Sequence, residues 1–294
     1  FTLQKETPLA NAVFWAARKG NLALLQLLLN SGRVDADCRD SYGTTALMVA
    51  SYSGHYECVK ELIMQGADIN YQREVCGVDL LFFINLLLTI LVVSLVYPLL
   101  FGQDGGTALT VACQYGHSKV VDILLKNGAS VHDQLNDGAT PLFLAAQEGH
   151  VTVIRQLLSS GAKVNQPRED GTAPLWMAAQ MGHSEVVKVL LLRGADRDAD
   201  RHDGSTALFK AAFKGHNSVI EELLKFSPSL GLLKNGSTAL HAAVIGGNYK
   251  TVLLLLGANA DPNLPNKNNE LPADLTKSDR ILRLLHPKIL DADS

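Results

Sequence analysis

Apolar residues return down this chain in a fixed rhythm of two short bursts. One copy reads Asp137-Gly138-Ala139-Thr140-Pro141-Leu142-Phe143-Leu144-Ala145-Ala146-Gln147-Glu148-Gly149-His150. Asp-Gly is turn chemistry, because glycine takes positive φ without a steric cost. Thr140 suits a helix N-cap, and Pro141 suits the first helical position, where its missing N–H costs nothing. Ala145 and Ala146 keep this helix thin enough for a neighbour to approach closely, and Gly149 stops it. Val151, Val153, Ile154, Leu157 and Leu158 then line one face of a second helix. Gly161-Ala162 closes that helix with a left-handed glycine cap. The pattern therefore predicts a turn, a short helix, a second turn and a longer helix.

The same phrase is written six times, with its leucine at Leu47, Leu109, Leu142, Leu175, Leu208 and Leu240. The last four steps are 33, 33, 33 and 32 residues. A fixed period in this range predicts stacked units that bury one another's apolar faces, not one globular core. Copies run from Asp104 to Ala129, Asp170 to Ala195 and Asp203 to about Leu230. The copy from Asn235 to Asn263 places Asn259 where the second capping glycine belongs, and asparagine is the next most tolerant residue of that conformation. Looser copies span Pro8 to Val34 and Asp40 to Asn70. A partial copy begins at Glu270-Leu271-Pro272-Ala273 and stops after Ile281-Leu282-Arg283-Leu284-Leu285. With Lys277, Asp279, Arg280 and Arg283 it reads as the polar end cap that such stacks need for solubility.

Thr140-Pro141-Leu142, Ala173-Pro174-Leu175 and Ser237-Thr238-Ala239-Leu240-His241-Ala242-Ala243 closely resemble the TPLHxAA signature of the ankyrin repeat. The resemblance extends over nearly the whole chain except residues 75–103. It implies an all-α solenoid of about seven recognisable repeats, one degenerate repeat and a C-terminal cap. The expected organisation is two repeats in residues 1–74, a degenerate apolar segment replacing the third repeat in 75–103, repeats four to eight in 104–268, and a partial repeat and tail in 269–294. The chain opens on Phe1 and not on Met, so further residues are expected before it.

Residues 75–103 break the rhythm. Leu47 to Leu109 is 62 residues, where two repeats would need 66. Gly77 and Leu80-Leu81-Phe82-Phe83 fall near register, but no Gly-His follows, and Leu80 to Phe101 carries no charge. An apolar run of this length is long enough for a transmembrane helix. Against a span stand the two repeats it would strand on one side and a charge bias that would export the larger stack. Three readings stay open: a degenerate repeat wedged into the stack, a segment foreign to the repeat such as a splicing variant, and a membrane anchor. The first two predict poor packing and weak coupling between residues 1–74 and 104–290.

Charge and chemistry exclude several function classes. Twenty-six basic and 29 acidic residues give a net charge of −3, without the basic stripe that nucleic-acid binding requires. Cys38, Cys58, Cys76 and Cys113 have no paired spacing and read as reduced thiols in an intracellular, cytoplasmic protein. Cys113 falls inside a short helix as a small buried hydrophobe. His55, His117, His150, His183 and His216 occupy one slot of successive units. Units stack ~8–10 Å apart, too far for two such histidines to share a metal held at ~2 Å. They read as structural turn histidines. Asp137, Asp170 and Asp203 read as turn formers, and Gly102-Gln103-Asp104-Gly105-Gly106 lacks the lysine of a phosphate loop. No catalytic constellation, metal site or cofactor site is expected.

What remains is recognition. The resemblance implies a non-catalytic scaffold, monomeric, that binds a partner protein through turn tips and the exposed positions of its first helices, both lining a concave face. Those positions are Tyr42, Gln103, Asn136, Glu169 and His202 at the tips. On the first helices they are Tyr52, Tyr115, Gln147, Glu148, Gln180, Met181, Phe213 and Lys214. The alternative is a membrane-anchored relative of the same family using Leu80–Phe101. Phe143, Trp176 and Phe209 replace the signature histidine on successive units, either as an aromatic seam or as packing between repeats. The resemblance gives His241 a buried hydrogen bond to neighbouring backbone.

Overall fold

The computed structural model describes residues 7–73 and 105–286. Among the described residues the chain is all-α, with two isolated bridges, Arg39–Thr45 and Asp200–Thr206, and no strand. Fifteen α-helices and one 3-10 turn fall into two compact units.

The first unit comprises Phe1–Ala145 and Thr152–Ala162. Its helices α1 (Pro8–Lys19), α3 (Ala46–Tyr52) and α5 (Ala108–Gln114) are the first helices of successive pairs, and α2 (Leu22–Asn30), α4 (Tyr56–Met64) and α6 (Ser118–Lys126) are the second. Helix α1 packs on α3 and α3 on α5, while α2 packs on α4 and α4 on α6. The pair α7 (Pro141–Glu148) and α8 (Val151–Ser159) follows, most of it within this unit.

The second unit comprises Ala146–Val151 and Lys163–Ser294. It repeats the plan with α9 (Pro174–Met181) and α10 (Ser184–Leu192), α11 (Ala207–Lys214) and α12 (Asn217–Leu224), and α13 (Ala239–Ile245) and α14 (Tyr249–Gly257). A 3-10 turn (Pro272–Leu275) closes against α13, and α15 (Asp279–Leu285) closes against α14. In α15 only Ile281 and Leu285 are buried, and Asp279, Arg280 and Arg283 face outward, as an end cap requires.

Local chemistry sets these elements. Thr45, Thr107, Thr140, Thr206 and Thr238 each accept the N–H three residues on, at 3.1–3.3 Å. Pro141 and Pro174 open α7 and α9. Asn259 takes φ +65° after α14, the left-handed cap expected of it. The six repeat leucines are at most 2% exposed, and Ala145, Ala146, Ala178, Ala179, Ala211 and Ala212 are fully buried, which lets the first helices lie close together. Cys113 is likewise fully buried, and burial pushes its thiol pKa up.

At the interrupted junction, helices α3 and α5, and α4 and α6, pack directly on one another among the described residues. The coupling expected to be weak there uses the same bonds as elsewhere: Ser130 N–H donates to Asn70 Oδ1 at 3.0 Å, as Asp196 N–H does to Asn165 Oδ1 at 2.9 Å. Among the described residues no helix is long and apolar enough to cross a membrane. Leu80–Phe101, and with it the anchor reading, lies outside them, as do Cys76 and Gln103.

Candidate partner-binding surface

The turn between the two helices of a pair is built around a glycine with positive φ and a histidine from the next pair. His55 Nε2 lies 3.0 Å from the Arg18 carbonyl, and His117 Nε2 lies 2.8 Å from that of Tyr52. In the second unit His183 meets the Gln147 carbonyl at 2.9 Å, and His216 meets that of Gln180 at 3.0 Å. A carbonyl only accepts, so each Nε2 carries the proton and donates. Each ring covers the glycine of the preceding pair. A Cβ on Gly54 would sit 2.6 Å from His117 Nδ1, and one on Gly149 would sit 2.8 Å from His183 Nδ1. The glycine is thus required twice, for its φ and for its missing side chain. After α11, Asn248 replaces the histidine and its Nδ2 donates to Ala212 O (3.0 Å) and Phe213 O (2.9 Å). The histidine slot is a structural rung with its Nε2 committed to backbone.

A second set of bonds fixes the tips. Asp40, Asp137, Asp170 and Asp203 each accept the backbone N–H two residues on, at 2.9–3.0 Å, which is turn chemistry as read from the sequence. Burial of Asp170 works against its charge, but hydrogen bonds from Thr172 and the nearby Arg201 guanidinium overcome this and hold the carboxyl below its ordinary range. Arg201 Nη2 lies 2.8 Å from Asp170 Oδ2, tying adjacent tips together.

The aromatic residues at the signature-histidine position are packing, not a seam. Phe143 and Trp176 are 1% and 3% exposed, and Phe209 is half-buried. Trp176 Nε1 donates to Ser205 O at 3.2 Å, so it ties α9 to the turn before α11. His241 makes the equivalent bond with its own imidazole: Nε2 donates to Glu270 O at 3.1 Å, while Nδ1 accepts from the Thr238 hydroxyl at 2.8 Å.

In the first unit, Tyr42 is half-buried in its tip and Asn136 is exposed on its own. Tyr52 and Tyr115 are half-buried and meet edge to face, ring centroids 4.6 Å apart, so each spends part of its ring on the neighbouring pair. In the second unit, Glu169, His202, Glu148 and Lys214 are exposed, and Gln147 and Gln180 are half-buried. Gln147 Nε2 donates to Glu148 Oε1 at 2.9 Å. Met181 and Phe213 remain 47% and 39% exposed at the ends of adjacent helices α9 and α11. Ile245, 53% exposed at the end of α13, belongs with them and was missed by sequence reasoning. Its signal was present: Ile245 stands five residues after Leu240, as Phe213 does after Leu208. Lys210 brings its ammonium 5.8 Å from the Phe213 ring centroid.

Among known proteins, the ankyrin-repeat family model matches residues 3–73, 85–168, 127–200 and 175–266. Ankyrin repeat domain-containing protein 29 of Danio rerio is 77% identical over 297 aligned positions, covering 100% of both chains. The Homo sapiens protein of the same name is 68% identical, over 98% of this chain and 97% of its own. A putative ankyrin repeat protein of Escherichia coli, YahD, is 37% identical over 41% of this chain and 59% of its own. Ankyrin repeats are generally non-catalytic modules that mediate binding of protein partners. With its repeated turn–helix–turn–helix units, the chain belongs to the ankyrin-repeat family.

Proposed function

We propose that the protein is an interaction scaffold that binds a partner protein along its turn tips and the C-terminal ends of its first helices. The observation that carries this reading is the set Met181, Phe213 and Ile245, the first standing six residues after its repeat leucine and the other two five. Each is an exposed apolar side chain at the end of a first helix, and α9, α11 and α13 are successive neighbours in the second unit. Helix ends facing water are ordinarily polar, and a set of exposed apolar side chains on a rigid frame supplies interface anchors. Lys210 and Lys214 flank the set on α11, and the tips beyond it carry His202, Lys234 and Lys267. A partner segment with apolar side chains set among acidic ones fits that combination. In the first unit, taken by itself, Tyr42, Tyr52, Tyr115 and Asn136 are positions of the same kind, and the tip position Gln103 lies outside the described residues. The scaffold works by equilibrium recognition, as an intracellular monomer without cofactor.

Cross-linking capture with the full chain, compared with a Met181→Ala, Phe213→Ala, Ile245→Ala triple variant, tests the reading. Partners held by the wild type and lost by the variant, with an unchanged melting curve, support it. Capture of the same partners in the same yield removes this surface.

A further inference from the structure

In an intact tip, two backbone bonds close the turn. The first residue donates its N–H to the carbonyl four residues on, and the glycine three residues on donates back. Arg168 N–H meets Thr172 O at 3.0 Å and Gly171 N–H meets Arg168 O at 3.0 Å. Arg201 and Asp40 close their turns in the same way, with Ser205 and Gly204 and with Thr44 and Gly43. At the interrupted junction, Arg73 N–H meets Gly106 O at 2.9 Å and Gly105 N–H meets Arg73 O at 3.0 Å. Gly105 has φ +83°, against +80° at Gly171 and +75° at Gly204. The junction is therefore an ordinary closed turn in which Gly105 stands three places after Arg73.

An intact turn holds two residues between those positions. The sequence offers Glu74 after Arg73 and Asp104 before Gly105, and Arg73-Glu74 joined to Asp104-Gly105 spells the turn Arg168-Glu169-Asp170-Gly171. Residues 75–103 are the surplus. Without those 29 residues the spacing from Leu47 to Leu109 becomes 33, one repeat. The remaining contacts agree: His117 from the following pair bonds Tyr52 O at 2.8 Å and covers Gly54, as in an uninterrupted pair of repeats. We infer that residues 75–103 are an insertion at the tip of one turn, not a repeat unit, and that the chain without them is the uninterrupted stack.

The ends of the segment point to its source. Every valine codon begins with GT, and one of the two glutamine codons ends in AG, the boundary nucleotides of an intron. Val75 opens the segment and Gln103 closes it, and the Leu, Phe, Ser, Tyr and Pro before Gln103 are what a pyrimidine-rich tract encodes. An intron read through in frame accounts for all three.

The experiment is a full chain beside a variant in which Glu74 is joined directly to Asp104. The variant should unfold in one transition, with a midpoint at or above that of the full chain, and keep amide-exchange protection in α3 and α5. A second variant, cut one residue further at each end so that Arg73 joins Gly105, should melt lower because the turn is too short to close. Loss of protection in α3 and α5 in the first variant overturns the inference, as does equal stability of the two variants. Amplification across the junction from messenger RNA should give a product shorter by the codons for 75–103; a single long product overturns the intron origin.

Discussion

Two neighbouring features at the end of every first helix behave in opposite ways. The main-chain carbonyl five residues after the repeat leucine is taken by the histidine of the next pair at Tyr52, Gln147 and Gln180, and by Asn248 at Phe213. The side chain of that same residue changes from tyrosine to glutamine to phenylalanine across these four units. One atom of the residue makes the same bond in each unit, and the side chain varies around it. Backbone position is therefore settled before any partner arrives, while the side chain differs from unit to unit and makes different contacts in each, as the Tyr52 ring does with Tyr115. That separation lets a recognition surface change without cost to the frame.

The strongest way to break the locked half is Gly149→Ala. The new methyl enters a backbone at φ +85° and sits 2.8 Å from His183 Nδ1. Strain of ~1–3 kcal/mol for the conformation alone, plus displacement of the ring, should lower unfolding stability by about 2–4 kcal/mol in urea titration. Gly161→Ala is the control, because Gly161 has φ +90° with nothing within 4 Å. It should cost only the backbone part, ~1–3 kcal/mol and less than Gly149→Ala. Equal losses at the two sites would show that the histidine ring gives way freely.

His183→Ala should cost about 1–2 kcal/mol, from one part-buried hydrogen bond and the ring's contact with Gly149. His183→Asn should recover part of that loss, since Asn248 already serves the same carbonyl slot. The free half is sharpened by the Met181, Phe213 and Ile245 alanine variant, whose stability should stay within ~0.5 kcal/mol of wild type while partner capture falls. The smallest effect concerns Cys38. Burial, with Asp35 and Asp37 nearby, pushes its thiol from 9.0 to about 11. Folded Cys38 keeps its proton above the pH at which the unfolded thiol loses it, so this group's contribution to stability declines between pH 9 and 11. Alkylation followed by mass spectrometry should be slow at pH 8 and accelerate toward pH 11, whereas Cys113 should stay protected until the chain unfolds.

Much of this was legible beforehand because each unit states its caps and turns locally. Thr140, Pro141, Gly149 and Asn259 act within a few residues of themselves, so pattern alone located them. The rungs were half legible. The recurrence of His55, His117, His183 and His216 was plain, but their partners are carbonyls of a preceding pair, which only stacking brings near. Phe143 and Trp176 could not be assigned to surface or interior from the signature position, since that position faces the next unit's turn. Residues 75–103 admit two readings because their length nearly equals a repeat. Measured against two periods the gap looked like a damaged unit; closed at Glu74 and Asp104 it leaves one period intact.

The closed turn at Arg73 and Gly105 has a practical corollary. Arg73 lies beside Gly105 and Gly106, held to them by two main-chain bonds. A fluorescent protein or an affinity module whose own termini lie close together could be grafted there, reporting from the rim while the helices beneath keep their places.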